Sequence, residues 1–167
     1  MCLGSYQPQL EGIPAMTDQS FTTTVLVSGS PRQAYEAIVN PRAWWGENIE
    51  GRTDRLGDEW TYRYKDMHFS RQKTVELVQD SKVTWHVVDA MMSFIEDKAE
   101  WKNTKIVFEI SPKGDMTEIR FTHLGLAPVA ECFDICSDAW TGLIRGSLKE
   151  LVETGAGDPD SVEKVAA

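Results

Sequence analysis

Two histidines lie where a polar group can take part in binding or acid–base chemistry. His123 follows Ile119 and Phe121 in an alternating run, so its side chain is expected to point inward with theirs. His68 follows a turn at Asp66 and is expected to point inward too. A neutral imidazole in an apolar pocket can orient a ligand hydroxyl or carboxylate, or act as a general base. Both are therefore candidate catalytic residues, and a hydrogen-bonded structural role is the alternative for each.

Two cysteines, Cys132 and Cys136, are one helical turn apart on the apolar side of a predicted helix. Two thiols at this spacing can hold a metal together with a histidine, or form a strained disulfide. The usual zinc pattern has two separate pairs of ligands, which this is not. Buried cysteine is also a common small hydrophobic residue. We therefore predict no metal site and no cofactor, and the role of the pair stays open.

Aromatic residues form the largest candidate set. Alternation along the predicted strands places large rings on one face, and Trp140 lies on the apolar stripe of the same helix. Tyrosine and tryptophan rings, which carry an O–H or N–H group, suit a mostly apolar ligand pocket when they lie between a sheet and a helix. A filled core is the alternative. Trp44 and Trp45, on a short helix, are predicted either to gate that pocket or to anchor the helix. The predicted pocket residues are Trp44, Trp45, Trp60, Tyr62, Tyr64, His68, Trp85, Val87, Phe108, Phe121, His123, Cys136, Trp140 and Ile144.

The helix that would face these rings is predicted over residues 131–153, about six turns. Its apolar stripe includes the two cysteines and Trp140, and Gly155 is expected to end it. Gly142 and Gly146 lower helix propensity by about 1 kcal/mol each. Their lack of a side chain indicates either a strand backbone that comes very close or a space that is left open.

The remaining elements suggest an α+β domain. Phe21–Val27 is a β-branched run typical of a strand, and Ser30-Pro31 is typical of a helix start. A second short helix is predicted after Asn40-Pro41, ending at Gly46. Turn residues then separate predicted strands at 48–52, 59–64, 68–78, 82–94, 99–111 and 116–124. In the run 68–78 the inward face is not determined. The order predicts a curved antiparallel sheet of six to seven strands wrapped around the long helix.

Composition and charge limit the classes of partner that are expected for this chain. The 167 residues suit one domain, predicted over 19–155, with a disordered extension at 1–18 and a polar tail at 156–167. The net charge of −9 makes nucleic acid and anionic membranes poor partners. No apolar run approaches the roughly 18 residues of a membrane span, and the first residues lack the pattern of a secretory signal. We therefore expect a cytoplasmic protein.

Several separated segments resemble one branch of the START/Bet v 1-like (SRPBCC) superfamily. They are Trp44-Trp45, Ile49-Glu50-Gly51, Leu56–Glu59, Tyr62–Asp66 with His68, Lys82–Trp85, Thr117–His123 with Gly125-Leu126, and Glu131-Cys132 with Cys136 and Trp140. The branch is the bacterial proteins similar to the activator of the ninety-kilodalton heat-shock chaperone's ATPase. The resemblance implies the helix-grip fold, in which a bent sheet wraps a long C-terminal helix.

This superfamily includes lipid carriers, hormone receptors, polyketide cyclases and chaperone activators, so the resemblance does not name one activity. Our first hypothesis is a non-enzymatic protein that binds a small hydrophobic, lipid- or polyketide-like molecule between sheet and helix. One alternative is an activator of the chaperone's ATPase, with a chaperone as its partner. The other is a cofactor-independent cyclase or lyase that uses a pocket histidine as base. We expect a monomer or a homodimer.

Overall fold

A computed structural model describes residues 19–161 of the chain. The predicted extension 1–18 and the last part of the predicted tail, 162–167, lie outside these residues. Seven strands form one curved antiparallel sheet in the order β1-β7-β6-β5-β4-β3-β2, and a long helix near the C-terminus packs against its inner face. The strands are β1 (Phe21–Val27), β2 (Ile49–Glu50), β3 (Glu59–Tyr64), β4 (His68–Val78), β5 (Lys82–Met92), β6 (Lys105–Lys113) and β7 (Met116–Leu124). The predicted helix-grip α+β fold is confirmed.

The bounds of three strands differ from the prediction. β2 has only two residues, β5 ends at Met92, and β6 begins at Lys105 instead of residue 99. The intervening chain forms turns, in which Met92 N donates to Lys98 O (2.8 Å) and Asn103 has a φ of +68°. A left-handed residue is incompatible with a continuing strand, so the predicted start of β6 at residue 99 was wrong.

The first helix, α1 (Pro31–Ile38), begins as its sequence predicts. Ser30 Oγ accepts a hydrogen bond from Gln33 N, and the Gln33 side chain accepts one from Ser30 N, which completes a capping box. A 3₁₀ turn, Pro41–Ala43, follows. Trp44 and Trp45 lie just beyond this turn, so the prediction that a second helix carries them is corrected.

The long helix, α2, runs through three contiguous parts: Phe133–Gly142, a π-helical segment Leu143–Leu148, and Lys149–Thr154. Gly155, with a φ of +88°, ends it as predicted. The apolar stripe is also confirmed, because Trp140, Ile144 and Leu148 are buried. The π-helical segment, which had no counterpart in the sequence pattern, coincides with Gly146.

Positively charged side chains from other elements contact both outer strands of the sheet. Arg42 precedes Trp44 in the chain, and Arg145 and Lys149 belong to the outer side of α2. Their donor–acceptor pairs are Arg145 Nη1 to Thr24 O, Lys149 Nζ to Leu26 O (3.3 Å), Arg42 Nε to Ile49 O (2.9 Å) and Arg42 Nη2 to Gly51 O (2.6 Å). These bonds join α2 to β1 and the turn after α1 to β2.

Among residues 19–161, no helix is both long and apolar enough to cross a membrane.

The environment of Gly146 gives a first prediction. A Cβ atom built at Gly146 meets no atom within 4 Å, which favours the open-space explanation for this glycine. We expect Gly146→Ala to raise the free energy of unfolding by about 0.5–1 kcal/mol, because alanine costs less backbone entropy in a helix. Urea denaturation would measure this change.

Gly46→Ala is the matched control. A Cβ there would overlap the buried ring of Tyr62, so this substitution should lower the free energy of unfolding by about 1–3 kcal/mol. If Gly146→Ala were as destabilising as Gly46→Ala, the space beside α2 would not be open.

Candidate functional site

The inner face of the sheet and the facing stripe of α2 bring the predicted pocket residues together. All of them are buried except Tyr64, which is partly exposed. The buried members on these elements are Trp60 and Tyr62 on β3, His68 on β4, Trp85 and Val87 on β5, Phe108 on β6, Phe121 and His123 on β7, and Cys136, Trp140 and Ile144 on α2. Strand alternation and the helical period therefore identified one shared interior.

Aromatic rings fill the centre of this interior around Trp45. The Trp45 indole stacks on the Tyr62 ring, with centroids 4.6 Å apart and planes at 19°. It lies 6.2 Å from the Trp85 ring at an interplanar angle of 9°, and 5.1 Å from the Trp140 ring of α2. Around Trp45 the arrangement is the one expected of a filled interior, in which the rings contact one another.

Trp44 and Trp45 are adjacent and both buried, but they contact different parts of the fold. Trp44 Nε1 donates to Ile38 O at the end of α1 (3.4 Å), and the Trp44 ring makes a T-shaped contact with Phe108 at 5.9 Å. These contacts match the anchoring role that was one of the two predicted alternatives. Trp45 instead extends from the turn across the interior to both the sheet and α2.

The chain that follows α2 holds the backbone of this turn. We call residues 157–160 the C-terminal strap. Asp160 N donates to Trp45 O (2.8 Å), and Asp160 Oδ2 accepts from Glu47 N (3.0 Å). Ser147 Oγ of α2 donates to Trp44 O (2.8 Å). The first part of the predicted polar tail thus packs on the domain, and Asp160 is only 7% exposed.

β4 places a stripe of polar side chains inside this aromatic interior. The alternate residues His68, Ser70, Gln72 and Thr74 are all buried, which settles the inward face of this strand. Gln72 Nε2 donates to Ser70 Oγ (3.1 Å), and Trp60 Nε1 donates to Thr74 Oγ1 (3.4 Å). The buried atoms that lack a hydrogen-bond partner within residues 19–161 include His68 Nε2, Gln72 Oε1, Trp85 Nε1 and Trp101 Nε1.

His123 is held as a neutral imidazole by a chain of hydrogen bonds. Trp140 Nε1 can only donate, so His123 Nδ1, 3.1 Å away, is an acceptor. His123 Nε2 then carries the proton and donates to Thr104 Oγ1 (2.8 Å), which donates to Trp101 O (2.6 Å). Burial, and secondarily the charge of His68, lowers the pKa of His123 to about 3. With both nitrogens engaged, His123 fits the structural alternative better than a general base.

His68 is buried without such a chain of partners. Its ring makes T-shaped contacts with the rings of Tyr62 and Trp101, at centroid distances of 5.0 and 4.7 Å. Burial lowers the pKa of His68 to about 4, so the imidazole is neutral near pH 7. Of the two candidate histidines, His68 is the one whose Nε2 has no hydrogen-bond partner in the described part of the chain.

Trp101 is an interior residue that was not predicted from the sequence pattern. It lies in the loop between β5 and β6, where a strand was predicted, and its indole stacks on that of Trp140 at 5.7 Å. His68 and His123 contact the same indole, at 4.7 and 4.8 Å. Trp101 Nε1 faces the sulfur of Cys136 without forming a hydrogen bond of normal geometry. The available signal was a single tryptophan in an otherwise polar loop, since such a large ring is usually buried.

Cys132 and Cys136 are buried free thiols whose Sγ atoms lie 2.6 Å apart. The hydrogen bond from Cys136 to Cys132, together with burial, raises the pKa of the Cys136 thiol well above its ordinary value. The unreactive thiol form is therefore favoured. Across residues 19–161 no group of three or more His, Cys, Asp or Glu side chains is arranged to hold a metal ion.

An open groove of about 500 Å³ lies elsewhere on the domain, between α1 and the end of α2. It is lined by Gln33, Glu36, Ala37, Asn40 and residues 151–155. These residues are all different from the predicted pocket residues, so this groove is not the pocket that the sequence predicted.

Fold and interior together define a helix-grip domain with a neutral polar stripe among aromatic rings. No protein-family model matches the chain, and no curated protein matches it. Among solved structures, the Aha1 dimer from Colwellia psychrerythraea is similar over 83% of this chain and 98% of that chain, with a TM-score of 0.67 and 22% identity.

Two further structures show the same fold. DynU16, from the dynemicin biosynthetic locus, has a TM-score of 0.63 and 14% identity over 84% of this chain, which spans about half (49%) of the DynU16 chain. The protein SSP2350 from Staphylococcus saprophyticus has a TM-score of 0.62 and 14% identity, over 83% of this chain and 95% of its own. At these identities the likeness establishes the fold, in agreement with the resemblance read from the sequence.

The two buried histidines predict how stability depends on pH. Their folded pKa values, about 4 for His68 and about 3 for His123, lie below the ordinary value of 6.5. Below pH 6.5 the unfolded chain therefore binds protons that the folded chain does not. The histidines' contribution to stability is complete above pH 6.5 and is lost as the pH falls towards 4 and 3, by about 1.4 kcal/mol per pH unit for each histidine.

His68→Phe tests this contribution, because it keeps a buried ring and removes one titrating group. Urea denaturation between pH 6.5 and 4.5 should give a slope of unfolding free energy against pH that is smaller than the wild-type slope by about 1.4 kcal/mol per unit. Identical slopes for the two proteins would show that His68 is protonated in the folded state.

Proposed function

We propose that this chain binds a small, mostly apolar molecule that carries at least one hydrogen-bonding group, in the interior between the sheet and α2. The observation that carries the proposal is the set of unpaired interior atoms, His68 Nε2, Gln72 Oε1 and Trp85 Nε1, which lack partners within residues 19–161. Each buried atom of this kind costs about 1–3 kcal/mol when it is left unpaired. Apolar side chains at these positions would avoid that cost if the interior served packing alone.

A ligand with matching polar groups removes this cost when it binds. The surrounding rings supply apolar contact, worth roughly 25 cal/mol per Å² of surface removed from water before the costs of association. Because rings now occupy the centre of the interior, part of that energy must move a ring aside. The same fold occurs in DynU16, which comes from a biosynthetic locus, and this likeness is consistent with a small-molecule ligand.

The two alternatives have weaker support. Chaperone activation draws on the likeness to Aha1. An activator would bind the chaperone through its surface. The large exposed hydrophobic side chains of the described residues belong to several elements, including Leu26 on β1, Val75 on β4 and Ile135 on α2. Of the two histidines that a cyclase or lyase could use as a base, His123 has both nitrogens engaged. His68 has an unpaired Nε2, but burial lowers its pKa to about 4, which makes it a weak proton acceptor.

A thermal-shift screen tests the proposal directly. Fatty acids, flavonoids and aromatic polyketides would be added to the full chain. We expect one of these classes to raise the melting temperature by several degrees, since a ligand at 100 times its Kd adds about 2.7 kcal/mol of stability. If no compound in the panel raised it, the proposal would be wrong.

The polar stripe gives a second test. In Ser70→Ala with Gln72→Met, a hydrogen-bonded pair and one unpaired oxygen are both removed. The melting temperature of the free domain should stay level or rise by about 3 °C, while ligand affinity falls about tenfold. Lys73→Gln, at an exposed position on the same strand, is the control and should change neither quantity. A large loss of stability with unchanged affinity would show that the polar stripe stabilises the fold and does not bind the ligand.

A further inference from the structure

We infer that the Trp45 indole occupies the place of the ligand, and that the ligand is itself a flat, uncharged aromatic molecule with a hydroxyl group. The inference rests on the proposed function and names the class of molecule. It draws on the shape of the space around Trp45, the charge of the interior, and the way Trp45 is attached.

Two rings that border the Trp45 indole lie nearly parallel to it, and we call the volume that the indole fills the slot. The Tyr62 ring stacks on the Trp45 indole at 4.6 Å and 19°, and the Trp85 ring lies 6.2 Å away at 9°. Trp60 stands nearly perpendicular to both Trp45 and Trp85, at 87° and 86°. Stacked aromatic walls accept a planar ring system at little cost, whereas a flexible alkyl chain would lose the stacking contacts. The slot therefore favours a planar molecule.

The interior is electrically neutral. Within residues 19–161 no lysine or arginine is buried, and the only buried carboxylate belongs to Asp160 in the C-terminal strap. Both interior histidines are neutral near pH 7. An anionic ligand would lose its hydration and gain no cation, so its binding is strongly disfavoured.

Two unpaired interior atoms, one on Trp85 and one on Gln72, which lies opposite Trp60 in the β3–β4 register, indicate a hydroxyl. Trp85, one wall of the slot, has a free Nε1–H donor, and Gln72 has a free Oε1 acceptor, as counted within the described chain. A phenolic hydroxyl both accepts and donates a hydrogen bond, whereas a carboxylate only accepts. A hydroxylated aromatic ring thus matches both the walls and the unpaired atoms.

Trp45 can leave the slot without unfolding a helix or a strand. It lies beyond the 3₁₀ turn, and neither a helix nor a strand includes it. Trp44, which has the anchoring contacts, can remain in place while the Trp45 ring turns out. The binding-competent state is then a minor one in the free protein, which lowers the apparent affinity by the fraction populated.

The experiment compares 2-naphthol with 2-naphthoate at pH 7, by calorimetric titration of the full chain. The two probes share one ring system and differ in charge. We expect wild type to bind 2-naphthol at least tenfold more tightly than 2-naphthoate. We also expect Trp45→Ala to bind 2-naphthol at least tenfold more tightly than wild type does, because no ring has to be displaced.

Trp44→Ala is the matched control, since Trp44 is equally buried and should not gain affinity. If Trp45→Ala does not fold, Trp45→Leu replaces it. In wild type, the indole N–H resonance of Trp45, assigned by its loss in Trp45→Phe, should shift on titration more than that of Trp44.

The outcomes separate this inference from the proposed function. Equal or tighter binding of 2-naphthoate would overturn the uncharged class, and an equal gain for Trp44→Ala would overturn the assignment of Trp45. Binding of a fatty acid without binding of 2-naphthol would overturn the slot and leave the proposed function standing. No binding by 2-naphthol or by any member of the thermal-shift panel would remove both.

Discussion

The contact of Trp45 with both walls of the domain is the interaction on which the interior depends. One indole touches Tyr62 and Trp85 on the sheet and Trp140 on the helix, so it joins the two layers at their centre. Aromatic pairs of this kind add about 0.5–1.5 kcal/mol beyond their buried area. Yet the residue that makes these contacts is carried by a turn and not by a regular element. The centre of the fold is therefore held by a side chain whose backbone depends on neighbouring segments.

A second constraint opposes the first. Dense aromatic packing favours a dry, apolar centre, but β4 brings His68, Ser70 and Gln72 into it. His123 shows that the fold can satisfy an interior imidazole completely, through Trp140 and Thr104. His68 has no comparable arrangement within the described residues. Natural proteins commonly retain local conflicts of this kind where function requires them.

Much of the fold could be read from local patterns. Trp60 and Tyr62 on β3, like Ile119 and Phe121 on β7, alternate with polar residues, so their inward faces were predictable. The inward face of β4 was not predictable, because both of its faces carry polar residues and alternation of hydrophobic residues cannot distinguish them. Trp101 was missed because its burial depends on a loop that folds back over the sheet. Hydrophobic periodicity does not indicate the path of such a loop. The central position of Trp45 likewise follows from contacts between distant segments, including the bond from Asp160.

The bonds that Arg42, Arg145 and Lys149 make to carbonyl groups of the outer strands bear on self-association. An exposed strand can template pairing with a neighbouring chain, and natural proteins guard against this with charged side chains. Here Arg145 and Lys149 donate hydrogen bonds to carbonyl groups of β1, and Arg42 donates one to a carbonyl group of β2. Another molecule adding a strand at either side would first have to displace these cations. Any pairing of two copies is therefore expected to join their outer surfaces and not to extend one continuous sheet.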